Sequence, residues 1–279
     1  MSKPFAVLTV VLAGSISLPA QNTFVVHFDS VQNGIPGWTT GVNEVPGGGY
    51  LLSGMQFSVN APGRIHVYTR RTDSNGVALT DQELHPFTNK SFYTEALNSL
   101  VPVDSGFRTI ITRQDPNSYE ATLILHAFNH DGDTTATDTL IFFEAQDSVV
   151  AFIRQSIRTS DGGMLGIGAY DDIDNLSQIL LVRVAQNGDT LWTNQLGDQY
   201  GDEGWSVCEL QDGGFALTAT HSGGGPSNDH TLIRTDSLGN QLWRRQFGEL
   251  GSGIPSVRMT LDGNILTFTG HKESVQPSA

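Results

Sequence analysis

Cysteine, lysine and any amphipathic helical pattern are nearly missing from this 279-residue chain. Cys208 stands alone, so no intrachain disulfide can form, and its strand context marks it as a small buried apolar residue. No histidine is placed by spacing to make it a nucleophile. Lysine occurs only at positions 3, 90 and 272, and 15 basic residues face 29 acidic ones, a formal charge of −14. An acidic surface repels nucleic-acid phosphates and anionic lipid, so neither is an expected partner. Beyond residue 20 no apolar run is long enough to span a membrane as a helix. The best helix-like fragment, Thr94 to Leu100, also fits a strand.

Catalytic signatures are lacking as well. There is no Gly-x-Ser-x-Gly nucleophile elbow, and Gly223-Gly224-Gly225-Pro226 lacks the Lys and Ser/Thr of a phosphate loop. His126 and His130 are four apart, but they fall on a strand end and a turn and not on a metalloprotease helix. Two acidic loops, Asn129-His130-Asp131-Gly132-Asp133 and Asp171-Asp172-Ile173-Asp174-Asn175, gather oxygen ligands of the kind calcium takes. Neither carries the bidentate glutamate of a helix-loop-helix site, so both read first as turns in which Asp and Asn bond the local backbone. Asp198-Gln199-Tyr200-Gly201-Asp202-Glu203-Gly204 reads in the same way, as a connection between repeats. No catalytic, cofactor-binding or metal-ligating residue is therefore nominated.

What the chain does have is glycine in phase. Gly-rich turns followed by an alternating strand occur at Gly48-Gly49-Tyr50, Asp104-Ser105-Gly106-Phe107, Asp161-Gly162-Gly163-Met164, Asp212-Gly213-Gly214-Phe215 and Asp262-Gly263-Asn264-Ile265. The residue after the turn recurs at 50, 107, 164, 215 and 265. A second series of turns keeps step, with its glycines at 76, 132, 188 and 239. Two turn series sharing a period of about 50 residues are the signature of propellers and solenoids.

Within the fourth unit, Trp205–Leu210, Phe215–Thr220, His230–Thr235 and Gln241–Phe247 read as four strands joined by Gly, Asn and Asp turns. Runs such as Ile179-Leu180-Leu181-Val182 are continuously apolar, which suits a sheet buried on both faces. The expected fold is thus all-β, a β-propeller of four-stranded antiparallel blades with about five blades present. Its units fall at about 37–93, 94–150, 151–204, 205–254 and, in part, 255–270. Trp192 and Trp243 each lie four residues past a turn glycine, where a ring can lie flat on the next blade; Thr80 and Ala136 hold that offset in the weaker units.

The run Leu232-Ile233-Arg234-Thr235-Asp236-Ser237-Leu238-Gly239-Asn240-Gln241-Leu242-Trp243, with Asp212-Gly213-Gly214-Phe215 before it, resembles the propeller repeats of secreted bacterial surface proteins. In that family a D-x-x-G-N-x-x-W hairpin and a DGG-aromatic turn recur, and many members leave the cell by the type IX route with a separate C-terminal sorting domain. The resemblance covers residues 37 to 270, strongly in units three and four. It implies fold and export, and hardly any activity.

Residues 1–20 agree with export: a weakly basic start, an apolar Phe5 to Ile16, and Ser17-Leu18-Pro19-Ala20 before Gln21 read as a signal peptide. Residues 21–279 are then the propeller domain of a secreted or cell-surface protein. Two arrangements of its ends stay open. Phe24 to Phe28 could complete the blade begun at Pro255 and close a five-bladed ring, or the chain could be part of a larger propeller, which the abrupt tail after Gly270 favours.

Two functions stay open too. The missing motifs and acidic, Gly-rich loops favour a non-catalytic module binding protein or glycan. The alternative is a propeller enzyme, either a quinoprotein-like oxidoreductase or a glycoside hydrolase with carboxylates from different blades about 5 to 9.5 Å apart near the central channel.

Overall fold

The computed structural model describes residues 37–57, 65–84, 91–93, 100–114, 120–143, 150–172, 175–198, 200–221, 229–247 and 254–269. The signal-peptide segment and Phe24–Phe28 lie outside them. The described residues form nineteen strands in five antiparallel sheets. The first sheet is β1 (Gly37–Glu44), β2 (Tyr50–Phe57), β3 (Ile65–Thr72) and β4 (Ala78–Leu84) in simple meander order. In the second, β5 (Ser91–Tyr93) and β6 (Val101–Val103) pair with opposite ends of β7 (Gly106–Gln114), which is followed by β8 (Ala121–Phe128) and β9 (Thr134–Phe143). The third is β10 (Val150–Arg158), β11 (Met164–Asp172), β12 (Asn175–Val184) and β13 (Thr190–Leu196). The fourth is β14 (Asp202–Glu209), β15 (Phe215–His221), β16 (Asp229–Thr235) and β17 (Gln241–Phe247), and the fifth is β18 (Ser256–Met259) with β19 (Ile265–Phe268). Because β5 precedes Thr94, the second sheet starts earlier than the turn spacing places it.

The core lies between sheets and not within one. Ile110, Leu123 and Leu125 of the second sheet meet Ile153, Met164, Leu180 and Val182 of the third. Ile111, Ile124 and Phe128 turn the other way, onto Leu51 and Val67 of the first. Ile179 and Leu181, alternating with Leu180 and Val182, face Val207, Phe215, Leu217 and Ile233 of the fourth. Successive residues of a strand point to opposite faces, so a run with no polar residue is what a blade packed between two neighbours requires.

Strand burial gives the radial order. The fourth strands β13 and β17 hold no buried residue, with Leu191 and Leu242 more than half exposed, and form the outer rim. The first strands β10 and β14 are largely buried, and β14 contacts both β10 and β18, which places them innermost.

The DGG turn has a single physical explanation in sheets three and four. Gly162 and Gly213 sit at φ of 84° and 80°, a left-handed backbone that glycine adopts without strain. A side chain on Gly163 or Gly214 would collide with the guanidinium of Arg183 or Arg234 and with a strand carbonyl. That guanidinium donates to one carbonyl of the neighbouring strand and one of its own and pairs with the turn aspartate, Arg183 with Asp161 at 2.5 Å and Arg234 with Asp212. Burial alone would raise the Asp161 carboxyl; hydrogen bonds from Thr159, Arg183 and Gly163 outweigh it and hold the group down at about 2.

Blades also join through innermost backbone groups. The Val207 N–H donates to Gln155 Oε1 (2.7 Å), and the Val257 N–H donates to Ser206 Oγ (3.2 Å). These donors belong to the inner edge of a sheet, where no further strand would satisfy them.

The two tryptophans differ. Trp192 is half-buried against Gly239 of the next blade, where an added Cβ would come within 2.7 Å of the ring, and it meets Phe215 edge-on at 6.3 Å. Trp243 is 36% exposed and carries Arg245 over its ring at 5.3 Å, which corrects the expectation that both rings dock. The described part of the fifth sheet is β18 and β19, with no outer hairpin for Trp243 to lie on. In the first sheet Thr80 reaches the corresponding turn of the next blade instead, donating to the Asp131 carbonyl at 3.4 Å.

Candidate functional site

Among the described residues, the first strands of sheets one, three and four each carry a β-bulge at the same point. The register slips at Thr40 in β1, at Arg154 in β10 and at Trp205 in β14. Each lies ten residues before the first residue of the second strand, Tyr50, Met164 or Phe215. A bulge leaves one residue out of the ladder and re-aims its side chain. The place of the bulge relative to the following turn repeats, while the bulged residue is different in each of these blades.

In blades three and four these residues meet. The Arg154 guanidinium lies 3.4 Å from the centre of the Trp205 ring and 4.8 Å from that of Phe152. Its Nη2 donates to Glu203 Oε2 at 2.7 Å. Arg154 is buried, while the Glu203 side chain is 38% exposed and Trp205 is half-buried. Trp205 is fixed by its indole N–H, which donates to Thr220 Oγ1 at 3.0 Å. A cation–π stack with a charge-assisted hydrogen bond holds the group rigid.

At Asp202, one residue before Glu203, β14 faces a different network. Asp202 is fully buried, takes both guanidinium nitrogens of Arg244, accepts from the Asp198 backbone N–H at 3.1 Å, and lies 3.0 Å from His221 Nδ1. Asp198, Asp202 and His221 bring ligand atoms within 4.8 Å of one another, the spacing of a cation site. The Arg244 fork already occupies both Asp202 oxygens, so the donor set suits a guanidinium and not a metal ion. Asp198 also lies 4.0 Å from Arg244. This network anchors the connection from β13 to β14, and so fixes where Glu203 and Trp205 stand; of the 198–204 stretch that the sequence reads as a connection, residues 202–204 already belong to β14. Tyr200, 44% exposed, packs edge-on to His221 at 6.2 Å in the same connection.

The residues weighed from sequence fall elsewhere. In the β8–β9 hairpin Asn129 Oδ1 accepts from the Asp131 and Asp133 N–H groups, and Asn129 Nδ2 donates to Asp133, so these oxygens serve the turn. Asp172 pairs with Asn175 across the β11–β12 hairpin; Ile173 and Asp174 lie outside the described residues. His126 sits inside β8 between Thr134 and Thr137, with burial lowering it to about 4, whereas His130 packs on Phe107; the two do not converge. Cys208 is half-buried and not fully interior, and burial pushes its thiol up to about 11. The sequence reading missed Arg154, Glu203 and Trp205. Aligning the units on their DGG turns puts Thr40, Arg154 and Trp205 in one column of the inner strands, but several neighbouring columns vary as much, so the alignment alone does not single them out.

No family model matches the chain, and no curated protein matches it. Among solved structures, the Penicillium chrysogenum alpha-L-arabinanase complexed with arabinobiose is similar, with a TM-score of 0.51 and 14% identity over 84% of this chain and 76% of that one. At that identity the likeness shows the fold: an all-β propeller, here with about five blades.

Proposed function

We propose that this protein is a saccharide-recognising β-propeller whose ligand rests on Trp205 beside Glu203. The observation that carries the reading is the bulge column. The turns, the arginine locks and the inter-blade bonds repeat, while the innermost bulged position presents Thr40, Arg154 and Trp205 in turn. A position freed from the demands of the repeat, aimed away from the ladder and lined by a rigid indole with a half-exposed carboxylate is what a sugar ring needs: an apolar C–H face on one side and hydroxyls to bond.

A second reading, glycoside hydrolysis, is favoured by the arabinanase likeness. It requires a second carboxylate from another blade about 5 to 9.5 Å from Glu203. Asp198 and Asp202 come together within one connection and share Arg244, so they do not supply that geometry. The binding reading rests on the bulge cluster, and the arabinanase likeness weighs for hydrolysis. The binding reading includes a place outside the cell, supported by the signal-peptide pattern of residues 1–20 and by the resemblance of the repeats to type IX-exported surface proteins.

Calorimetry with arabino-oligosaccharides on the wild type and Trp205→Ala tests the site, with a reducing-end assay run in parallel. Binding that vanishes in the variant, without release of reducing ends, supports a binding module. Turnover that Glu203→Gln abolishes supports the hydrolase. If neither arabino-oligosaccharides nor other glycans bind the wild type, the reading fails.

A further inference from the structure

Charge at the bulge cluster points to the kind of saccharide. On the reading that Trp205 and Glu203 form a sugar site, we propose that the ligand is a neutral saccharide and not a uronic acid or an amino sugar. Arg154 is 8% exposed, covered by the Phe152 and Trp205 rings and paired to Glu203. Its charge is therefore turned inward, and what meets the ligand is the 38%-exposed Glu203 carboxylate and the indole. The pair sums to zero charge.

A uronate would have to displace Glu203 from Arg154, replacing one carboxylate by another, on a protein whose formal charge is −14. An ammonium would have to share Glu203 with Arg154, which already lies on the indole face, and would bring two cations together. A neutral ring does neither. Its hydroxyls donate to Glu203 on the exposed side, and its C–H face takes the side of the indole away from Arg154, on a ring already fixed by Thr220, so little ordering is lost on binding.

Three oligosaccharides of matched length decide it by calorimetry on the full chain at low and high salt: a neutral arabino-oligosaccharide, an oligogalacturonate and an oligoglucosamine. The neutral sugar is expected to bind at least about tenfold more tightly than either charged one, with an affinity that salt barely changes. A charged sugar that binds equally well or better overturns the neutral-ligand proposal and leaves the saccharide site standing. Binding by none of them or of a wider neutral panel overturns both. Glu203→Gln supplies an independent check, because it keeps the shape and removes the carboxylate that a uronate would have to displace. That variant should bind the galacturonate about tenfold more tightly than the wild type does. An unchanged galacturonate affinity in a variant with a wild-type unfolding transition would show that Glu203 is not what keeps the acid out.

Discussion

Trp192 and Trp243 occupy the same place in successive repeats, and replacing each by alanine should give unequal losses. Full burial of an aromatic ring removes about 150 to 250 Å² from water, worth about 4 to 6 kcal/mol at 25 cal/mol/Å². Trp192 is half-buried on Gly239 and adds an edge-on contact with Phe215, itself 1% exposed. Its truncation is expected to cost about 2 to 4 kcal/mol, since the next blade's glycine surface cannot close over the gap. Trp243, 36% exposed, loses a partly wet ring and a cation–π contact with Arg245, and should cost about 1 kcal/mol. Urea unfolding of the wild type and both variants, compared at constant m value, measures the difference directly. Equal losses, or a larger one for Trp243→Ala, would refute the idea that the neighbouring hairpin decides the worth of the ring.

Asp202→Asn should destabilise by about 3 kcal/mol, because it leaves the Arg244 guanidinium and the buried His221 without their carboxylate; a loss under about 1 kcal/mol would mean that the network is slack. Acid should weaken the fold through His126. Burial lowers that ring to about 4, so the unfolded chain takes up a proton near 6.5 and the fold only near 4. Stability therefore falls by about 2 to 4 kcal/mol as pH drops between those values and levels off below them, and thermal melts of His126→Gln should lack that part of the slope. Gly214→Ala should cost more than Gly213→Ala, about 2 against about 1 kcal/mol, since the first strikes Arg234 and the Thr235 carbonyl while the second meets only an unfavourable φ in open space. Differential scanning calorimetry giving the reverse order would disprove the arginine-lock account of the DGG turn.

Turn chemistry acts within a few residues, which is why strand ends next to turns were legible in advance. The fourth unit's strands were read as 205–210, 215–220, 230–235 and 241–247 and are found at 202–209, 215–221, 229–235 and 241–247. The largest error is at the start of β14, where no turn motif speaks. There the strand begins early because Asp202 is held by Arg244 from the far side of the blade, a partner 42 residues away. Trp243 misled for a related reason: its offset from Gly239 matches that of Trp192 from Gly188, but burial depends on what lies opposite. The bulge cluster was hidden more thoroughly. Arg154 and Trp205 are 51 residues apart, and a bulge has no sequence motif of its own.

The bonds that Gln155 and Ser206 accept from the Val207 and Val257 N–H groups tie the third blade to the fourth and the fourth to the fifth, each with a side chain from one and a backbone group from the other. The acceptor needs nothing specific from its partner, since every non-proline residue offers an N–H. A gene segment that begins in one inner strand and ends in the following one therefore carries both halves of a complete joint. Duplicating or deleting the segment between these two joints alters the number of blades while the junction left behind stays bonded, so the inherited module there is the seam and not the sheet.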